Sequence, residues 1–527
     1  MLKIEEMKFG FNDAENYKKR ENKEFFNDIF FKTDAVETLC HNNIYFLIGE
    51  KGTGKTAYAV YLTNNENDKN SANITYIRET DYQKFVTLKK DRQLNLSDYI
   101  NIWKVIIYLL VADKISQKEI DFSKLKNIFK FQNLKNAIDD YYNHAFTPEI
   151  IYALNFIEQS KIAAELIAKY AKAGGEEVST LSFTENRFQT NLLFIQKKFE
   201  EALRVFKIKK NHILFIDGID TRPLSIPYDN YLECIKGLAN AVWSINNDFF
   251  PTIRDSGRLR VVLVMRPDIF DSLGLQNRNN KIRDNSVLLD WKTTYEQYRN
   301  SPIFSLTDKL LASSQTELLE HGKAWDYYFP YKAPTMSSKK EKDDSFISFL
   351  RFSYYRPRDI ITMLTILREN IILHRKSSEV FCSEDFDHPD FRRKYAEYLL
   401  GEVKDYLSFY YSYKDYELFL KYFEFLKGKV RFTYSEYLRA YRNFIDYLNV
   451  NSIDRPSFFD GPDIFLQFLY TSNVICFIEE SEDGHSFIRW CFRERDFSNI
   501  SPKVKNNERY EIHYGLSKAL NLGKKIR

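Results

Sequence analysis

Five cysteines in 527 residues, Cys40, Cys234, Cys382, Cys476 and Cys491, are too few and too scattered for a disulfide framework, and no two form a C-x-x-C pair. The odd count and wide spacing fit reduced, buried thiols in a cytoplasmic protein. The eight histidines show no H-E-x-x-H spacing, so no zinc site is read from either residue type. Long apolar runs are missing as well. The longest, "VIIYLLVA" (105–112), falls far short of the ~20 residues that span a bilayer. The opening stretch "MLKIEEMKFGFNDAENYKKRENKEFF" lacks the apolar centre of a signal peptide. Together these absences predict a soluble cytoplasmic protein with no membrane partner. Nor is there an excess of one charge. Lys+Arg is 77 and Asp+Glu 73, a net charge of +4, so no global basic field marks a nucleic-acid coat, while a local patch stays open. No internal repeat, low-complexity tract, or nuclease, protease or deaminase signature is present.

What is present reads as globular: 44% hydrophobic and 28% charged residues, in a length that suggests roughly three or four domains. The 44 Phe and 36 Tyr are spread along helical segments, which makes most of them core. Five short apolar runs read as buried strands: "IYFLIG" (44–49), "NITYIR" (73–78), "HILFID" (212–217), "VVLVM" (261–265) and "SVLLDW" (286–291). Strands alternating with helices predict an α/β fold with a five-stranded parallel sheet. Between the second and third strands the chain is far longer than a simple crossover, and about 95–205 reads as a large helical insertion. Ser97 is positioned to cap its first helix, with Tyr99, Trp103, Ile106, Ile107 and Leu110 along one side. Further helices are expected at about 148–173 and 185–206. Residues 1–42 read as an N-terminal arm, 43–294 as the core, and 295–400 as a helical lid. Residues 401–527 read as a winged-helix-like C-terminal domain, whose hairpin turns at Glu482-Asp483-Gly484.

Chemistry concentrates in one stretch. Gly49-Glu50-Lys51-Gly52-Thr53-Gly54-Lys55-Thr56 fits G-x-x-x-x-G-K-T after an apolar strand and before the helical "KTAYAVYLT". Such a P-loop turns backbone N–H groups around phosphate oxygens. Lys55 supplies a charge to the β- and γ-phosphates, and Thr56 offers a hydroxyl to Mg²⁺. ATP and Mg²⁺ are therefore the expected cofactors of a P-loop NTPase core. Asp217 ends the third strand, where an acid holds the metal's water shell. Asp220 is placed to orient the attacking water, to bind a metal water, or merely to cap a turn. Thr221 stands where many relatives of such a core carry a glutamate, which predicts slow or partner-activated hydrolysis. Arg266 follows the fourth strand and is expected to face the γ-phosphate. Arg356 and Arg358 flank Pro357 at a helix start, and Arg358 is the expected lid arginine. Arg283, with Arg278 as fallback, is the candidate arginine donated to a second copy. A solvated charge cluster explains that pair equally well.

The set "FGFNDAE" (9–15), "GEKGTGKTA", "FIDGID", "NKIRDNS", "YRPRD" and "EIHYGLSKAL" (511–520) resembles an uncharacterised bacterial P-loop ATPase family. That family is similar to the signalling branch of the AAA-like ATPases, which includes NACHT-type switch proteins. The resemblance implies an ATPase core, a helical lid, a winged-helix-like end, and a role in bacterial stress or antiviral defence with a separate effector protein. The leading expectation is an ATP-driven switch or assembly ATPase that works as a homo-oligomer. The alternatives are a DNA-associated ATPase using its winged domain and basic end, and a nucleotide-stabilised scaffold with little turnover.

Overall fold

The computed structural model describes residues 1–77, 96–119, 208–223, 226–254, 256–315, 317–333, 343–375 and 378–523, with isolated positions between 193 and 204. The chain forms two compact units. One joins Ala35–Ile48 to Tyr58–Val287, and the other joins Met1–Asp34, Gly49–Ala57 and Leu288–Arg527.

The first unit is built on an α/β sheet. Its strands are β1 (Phe46–Ile48), β2 (Asn70–Tyr76), β3 (Asn211–Asp217), β4 (Leu259–Met265) and β5 (Ser286–Leu288), in the parallel order β2-β3-β4-β1-β5. All five apolar runs of the sequence became strands. β1 and β4 are buried throughout, and β3 is buried from His212 onward. Strands covered on both faces carry unbroken apolar runs, which is why they stood out. Two bounds moved. β2 starts at Asn70, because it pairs with β3 residue for residue from Asn70 opposite Asn211 to Tyr76 opposite Asp217. β5 stops at Leu288, short of Trp291.

Helices α1 (Lys55–Asn64), α2 (Leu96–Glu119) and α3 (Tyr228–Ser244) connect these strands. In α2, Tyr99, Trp103, Ile106 and Ile107 are buried as their spacing predicts, and Leu110 is half-buried. The side chain of Ser97, expected to cap this helix, lies outside the described residues. Trp103 Nε1 donates to Cys234 O at 3.1 Å, tying α2 to α3. The two backbones come so close that a Cβ on Gly237 would lie 2.6 Å from Tyr99 Cβ, so glycine is required there. The helix expected at 148–173 lies outside the described residues. So does most of that at 185–206, of which isolated helical positions between 193 and 204 are described. After β4 the chain makes α4 (Pro267–Ser272) and α5 (Arg278–Asn285).

The second unit is mostly helical. It contains α6 (Pro302–Ala312), α7 (Lys323–Tyr328), α8 (Ser345–Phe352), α9 (Pro357–His374), α10 (Pro389–Tyr410), α11 (Tyr413–Tyr422), α12 (Tyr434–Val450) and α13 (Pro462–Thr471). Proline opens α4, α6, α9, α10 and α13, the position where its missing N–H costs nothing. A short ribbon pairs β6 (Lys332–Ala333) with β7 (Asp343–Asp344). A small antiparallel C-terminal sheet has the order β10-β9-β11-β8, from β8 (Arg431–Thr433), β9 (Ile475–Glu480), β10 (Ser486–Trp490) and β11 (Arg509–Ile512). The expected hairpin is β9 paired with β10, and Gly484 takes φ +76° at its turn.

Aromatic side chains fill this unit. Trp325 stacks on Phe329 at 4.0 Å and meets the edge of Phe346 at 5.0 Å, while Phe329 stacks on Phe381 at 4.5 Å. Each such pair adds about 0.5–1.5 kcal/mol beyond its buried area. The N-terminal segment packs on the same core through buried Ile4, Met7, Phe26, Ile29 and Phe30. Tyr328 Oη donates to Leu2 O at 2.7 Å, and Lys309 Nζ to Phe30 O at 2.7 Å. Among the described residues no helix is long and apolar enough to cross a membrane.

Candidate functional site

The glycine loop leaves β1 at Gly49 and enters α1 at Lys55. Gly52 (φ +86°) and Gly54 (φ +94°) occupy the left-handed region, which a side chain would strain. The carbonyls then follow a pattern. Gly49 O and Glu50 O accept from Lys55 Nζ at 2.9 and 3.1 Å, and Glu50 O also accepts from Thr53 Oγ1 at 2.8 Å. Lys51 O accepts from Arg356 Nη1 at 2.9 Å, Gly52 O from the Arg358 N–H at 3.2 Å, and Thr53 O from Trp291 Nε1 at 2.9 Å. Five consecutive carbonyls are thus turned onto donors of this unit. A peptide's N–H points opposite its C=O, so these turns leave N–H groups for the other side, except that of Thr53, which donates to Glu50 O at 3.2 Å; there the first turn of α1 adds its positive dipole end. Thr56 sits half-buried in that turn, and Lys55 is buried.

Side chains far along the chain fix this geometry. Arg356 is buried and makes a two-pronged pair with Asp359, with Nε 3.0 Å from Oδ2 and Nη2 2.6 Å from Oδ1. Its Nη1 also reaches Glu402 Oε2 at 3.1 Å. Burial alone would favour a neutral Arg356, but the charges of Asp359 and Glu402 overturn it and hold the guanidinium charged, well above its ordinary pKa. Glu402 mirrors this. Burial would raise its pKa, and Arg356, Lys51 and Arg358 together bring it below the ordinary carboxylate value. Asp359 is fully buried and also accepts from the Tyr354 N–H at 2.8 Å and Tyr398 Oη at 2.8 Å. Lys51 pairs with Asp405 and lies 3.7 Å from Glu402. Glu50 pairs with Arg495, whose guanidinium burial pushes down to about 10, still charged at neutral pH.

In the sheet unit, the parallel order sets β4 between β1 and β3, so the ends of all three lie along one edge. Asp217 ends β3, buried. Its Oδ1 accepts from the Gly218 N–H at 2.8 Å and its carbonyl from the Ile77 N–H at 2.8 Å. Gly218 takes φ +93°, and a Cβ there would lie 2.4 Å from Ile77 O. Asp220 is half-buried and Thr221 exposed in the turn that follows. Arg266 caps β4, buried, and both prongs of its guanidinium meet the Asp268 carboxylate. Arg278 pairs with Asp271, whereas Arg283 is exposed and makes no ion pair among the described residues.

Arg358 lies at the loop, but its side chain runs to Asn12 O at 3.2 Å and to Glu402 at 3.5 Å, and only its backbone N–H meets the loop. Sequence reasoning missed Trp291, Glu402, Asp405 and Arg495 as supports. One signal existed for α10. Tyr395, Tyr398, Glu402 and Asp405 follow three-four-three spacing and share a helix face. Four of the quoted motifs meet within this unit. Asn12 comes from "FGFNDAE", the loop from "GEKGTGKTA", Arg356 and Arg358 from "YRPRD", and His513 from "EIHYGLSKAL". His513 is buried, packs on Tyr354 at 4.5 Å, and Tyr354 in turn underlies the Arg356 guanidinium at 4.8 Å. Compared with protein-family models, with curated proteins and with solved structures, the chain matches none of them.

Proposed function

We propose that the chain is a Mg²⁺-dependent, slowly hydrolysing P-loop ATPase that acts as a nucleotide-driven switch or assembly module. The row of five loop carbonyls turned onto protein donors carries this reading, since it prepares the opposite side of the loop for an anion. The complete G-x-x-x-x-G-K-T run fits a nucleoside triphosphate. In this reading Lys55 exchanges its bonds to Gly49 O and Glu50 O for phosphate oxygens, while Thr56 and Asp217 hold Mg²⁺ and its waters. The bound metal supplies charge neutralisation on the β- and γ-oxygens. Asp220 orients water, and Thr221 in place of a glutamate keeps turnover slow. Read on the same terms, residues 43–294 are the ATPase core, 295–400 the helical lid and 401–527 a winged-helix-like C-terminal domain.

A switch needs the loop to report its state. Glu50 and Lys51, at variable positions of the motif, pair with Arg495 and with Glu402 and Asp405, so a loop that moves over phosphate alters contacts 351 to 445 residues away in sequence. Arg283, exposed and unpaired among the described residues, stays the proposed contribution to a second copy. Bacterial defence with a separate effector is the proposed setting, and it rests on the motif resemblance.

Calorimetry tests the site. Lys55→Ala should weaken ATP binding by about 100-fold or more, with native far-UV spectra, because a charge matched to several phosphate oxygens is lost. Asp217→Ala should weaken Mg-ATP more than ATP alone, and Asp220→Ala should spare binding and lower turnover. Wild-type ATP affinity in Lys55→Ala overturns the proposal.

A further inference from the structure

We infer that His374, His388 and Asp390 form a binding site for one Zn²⁺ ion, separate from the glycine loop. His374 is the last residue of α9, His388 directly precedes α10, and Asp390 is the second residue of α10. One ligand atom from each lies within 4.8 Å of the other two. Ligands about 2.0–2.1 Å from a tetrahedral zinc sit about 3.3–3.4 Å from one another. His374 Nε2 already stands 3.3 Å from Asp390 Oδ2, and His388 Nδ1 stands 4.0 Å from the same oxygen. A small rotation of the half-buried His388 ring closes the second gap. Its Nδ1 now takes the Asp390 N–H across 3.3 Å, a long bond that an ion would replace.

The chemistry of the set selects the ion. Two imidazoles and one carboxylate suit zinc and its neighbours, whereas Mg²⁺ and Ca²⁺ prefer oxygen ligands throughout. The imidazole rings lie 4.7 Å apart and each brings a nitrogen toward the same Asp390 oxygen, so a single divalent ion can use both as neutral donors. Arg393 Nη2 lies 3.4 Å from Asp390 Oδ1, which holds the carboxylate by its other oxygen and leaves Oδ2 toward the histidines. All three residues are exposed or half-buried, which gives an ion a way in and leaves a coordination position for water.

The place in the fold gives the site a consequence. α9 starts at the glycine loop with Arg356 and Arg358, and α10 returns to it with Glu402 and Asp405. The ion would join the opposite ends of this same helix pair, about 27 Å along α9 from the loop. Zinc would then stabilise the pair that shapes the loop without touching it.

Cobalt titration of the tag-free full-length chain tests the site, because Co²⁺ in a tetrahedral site absorbs visibly. One Co²⁺ per chain should give a visible band that an equivalent of Zn²⁺ bleaches, with no near-ultraviolet band of thiolate ligation. His374→Ala, His388→Ser and Asp390→Asn should each weaken Co²⁺ binding by about tenfold or more. Serine keeps a helix-capping oxygen before Pro389, so His388→Ser tests ligation and not folding. Lys55→Ala should bind Co²⁺ like the wild type. A wild-type chain without the band, a band with thiolate character, or folded variants that keep wild-type Co²⁺ affinity each overturns the inference.

Discussion

The loop after β1 and the loop after β3 both place glycine at positive φ, yet the bonds that shape them come from different distances along the chain. The second has short-range bonds beside one distant one, from the Ile77 N–H to Asp217 O. Gly218 N–H bonds the neighbouring Asp217 carboxylate, and Tyr231 Oη, 12 residues on, donates to Ile219 O at 2.6 Å. The first is held from afar, by Trp291 and Arg356, which stand 238 and 305 residues from the carbonyls they bind. A locally held loop is as stable as its own turn. One held from afar is as stable as the helices that carry its donors, so its shape can change when those helices move. The glycine motif therefore marks the loop proposed to bind an anion, while long-range bonds that shape it come from β5's flank, α9, α10 and the C-terminal end.

Removing one long-range support should break the comparison most visibly. Arg356→Ala leaves Asp359, fully buried, without its cation, and losing one partner of a buried pair costs about 3–5 kcal/mol. Tyr231→Phe removes the hydroxyl shared between Ile219 O and Thr221 O in the other loop, for about 1 kcal/mol. Urea unfolding should rank the two in that order, and Arg356→Ala should also weaken ATP binding, since Lys51 O loses its donor. Equal destabilisation by both variants would show that distance along the chain does not matter.

Acid should separate the loops next. His513 packs on Tyr354 and Trp490 in the support of the first loop, and burial pushes its pKa down to about 3. An unfolded histidine takes up its proton near pH 6.5, the folded one only near 3. Between these values the unfolded chain binds more protons. The stability that depends on neutral His513 is fully present above about pH 6.5 and is lost as pH falls toward about 3. By pH 5 the loss reaches about 2 kcal/mol. Melting curves at pH 7.5 and 5 should show the wild type losing more than His513→Gln. Parallel losses would remove His513 from the acid response.

Much of this was legible in sequence because it is local. Apolar runs such as "ILFID" announce strands buried on both faces, the α2 stripe announces its packing side, and the glycine-lysine run announces a tight loop between a strand and a helix. The supports were not legible, because a pair such as Lys51 with Glu402 or Glu50 with Arg495 leaves no trace at either end of the sequence. The two arginines around Pro357 show the limit well. Spacing favours Arg358, which lies in the first turn of α9. The residue before a proline is held extended, and Arg356, at φ −112° and ψ 141°, is thereby aimed into the core. Similarly, nothing in "NRNNKIRDNS" tells that Asp271, outside it, engages Arg278 and leaves Arg283 exposed.

The smallest expected effect sharpens this last contrast. Arg358→Ala keeps the backbone N–H that bonds Gly52 O and keeps the Cβ that would meet a Cβ on Gly52 at 3.2 Å. It loses the bond to Asn12 O and the long pair with Glu402, which already has Arg356 as a nearer partner. A partly exposed pair of this kind is worth about 0–1 kcal/mol, so folding stability should barely change, in contrast to Arg356→Ala. Nucleotide preference is the sensitive measurement. If the Arg358 side chain leaves Asn12 for a γ-phosphate, the variant should lose up to about tenfold in ATP affinity and nothing in ADP affinity, about 1.4 kcal/mol of discrimination. Calorimetric titration with both nucleotides checks this. An unchanged ATP-to-ADP ratio assigns the side chain to the N-terminal segment alone and leaves γ-phosphate reading to another cation, with Arg266 the next to substitute.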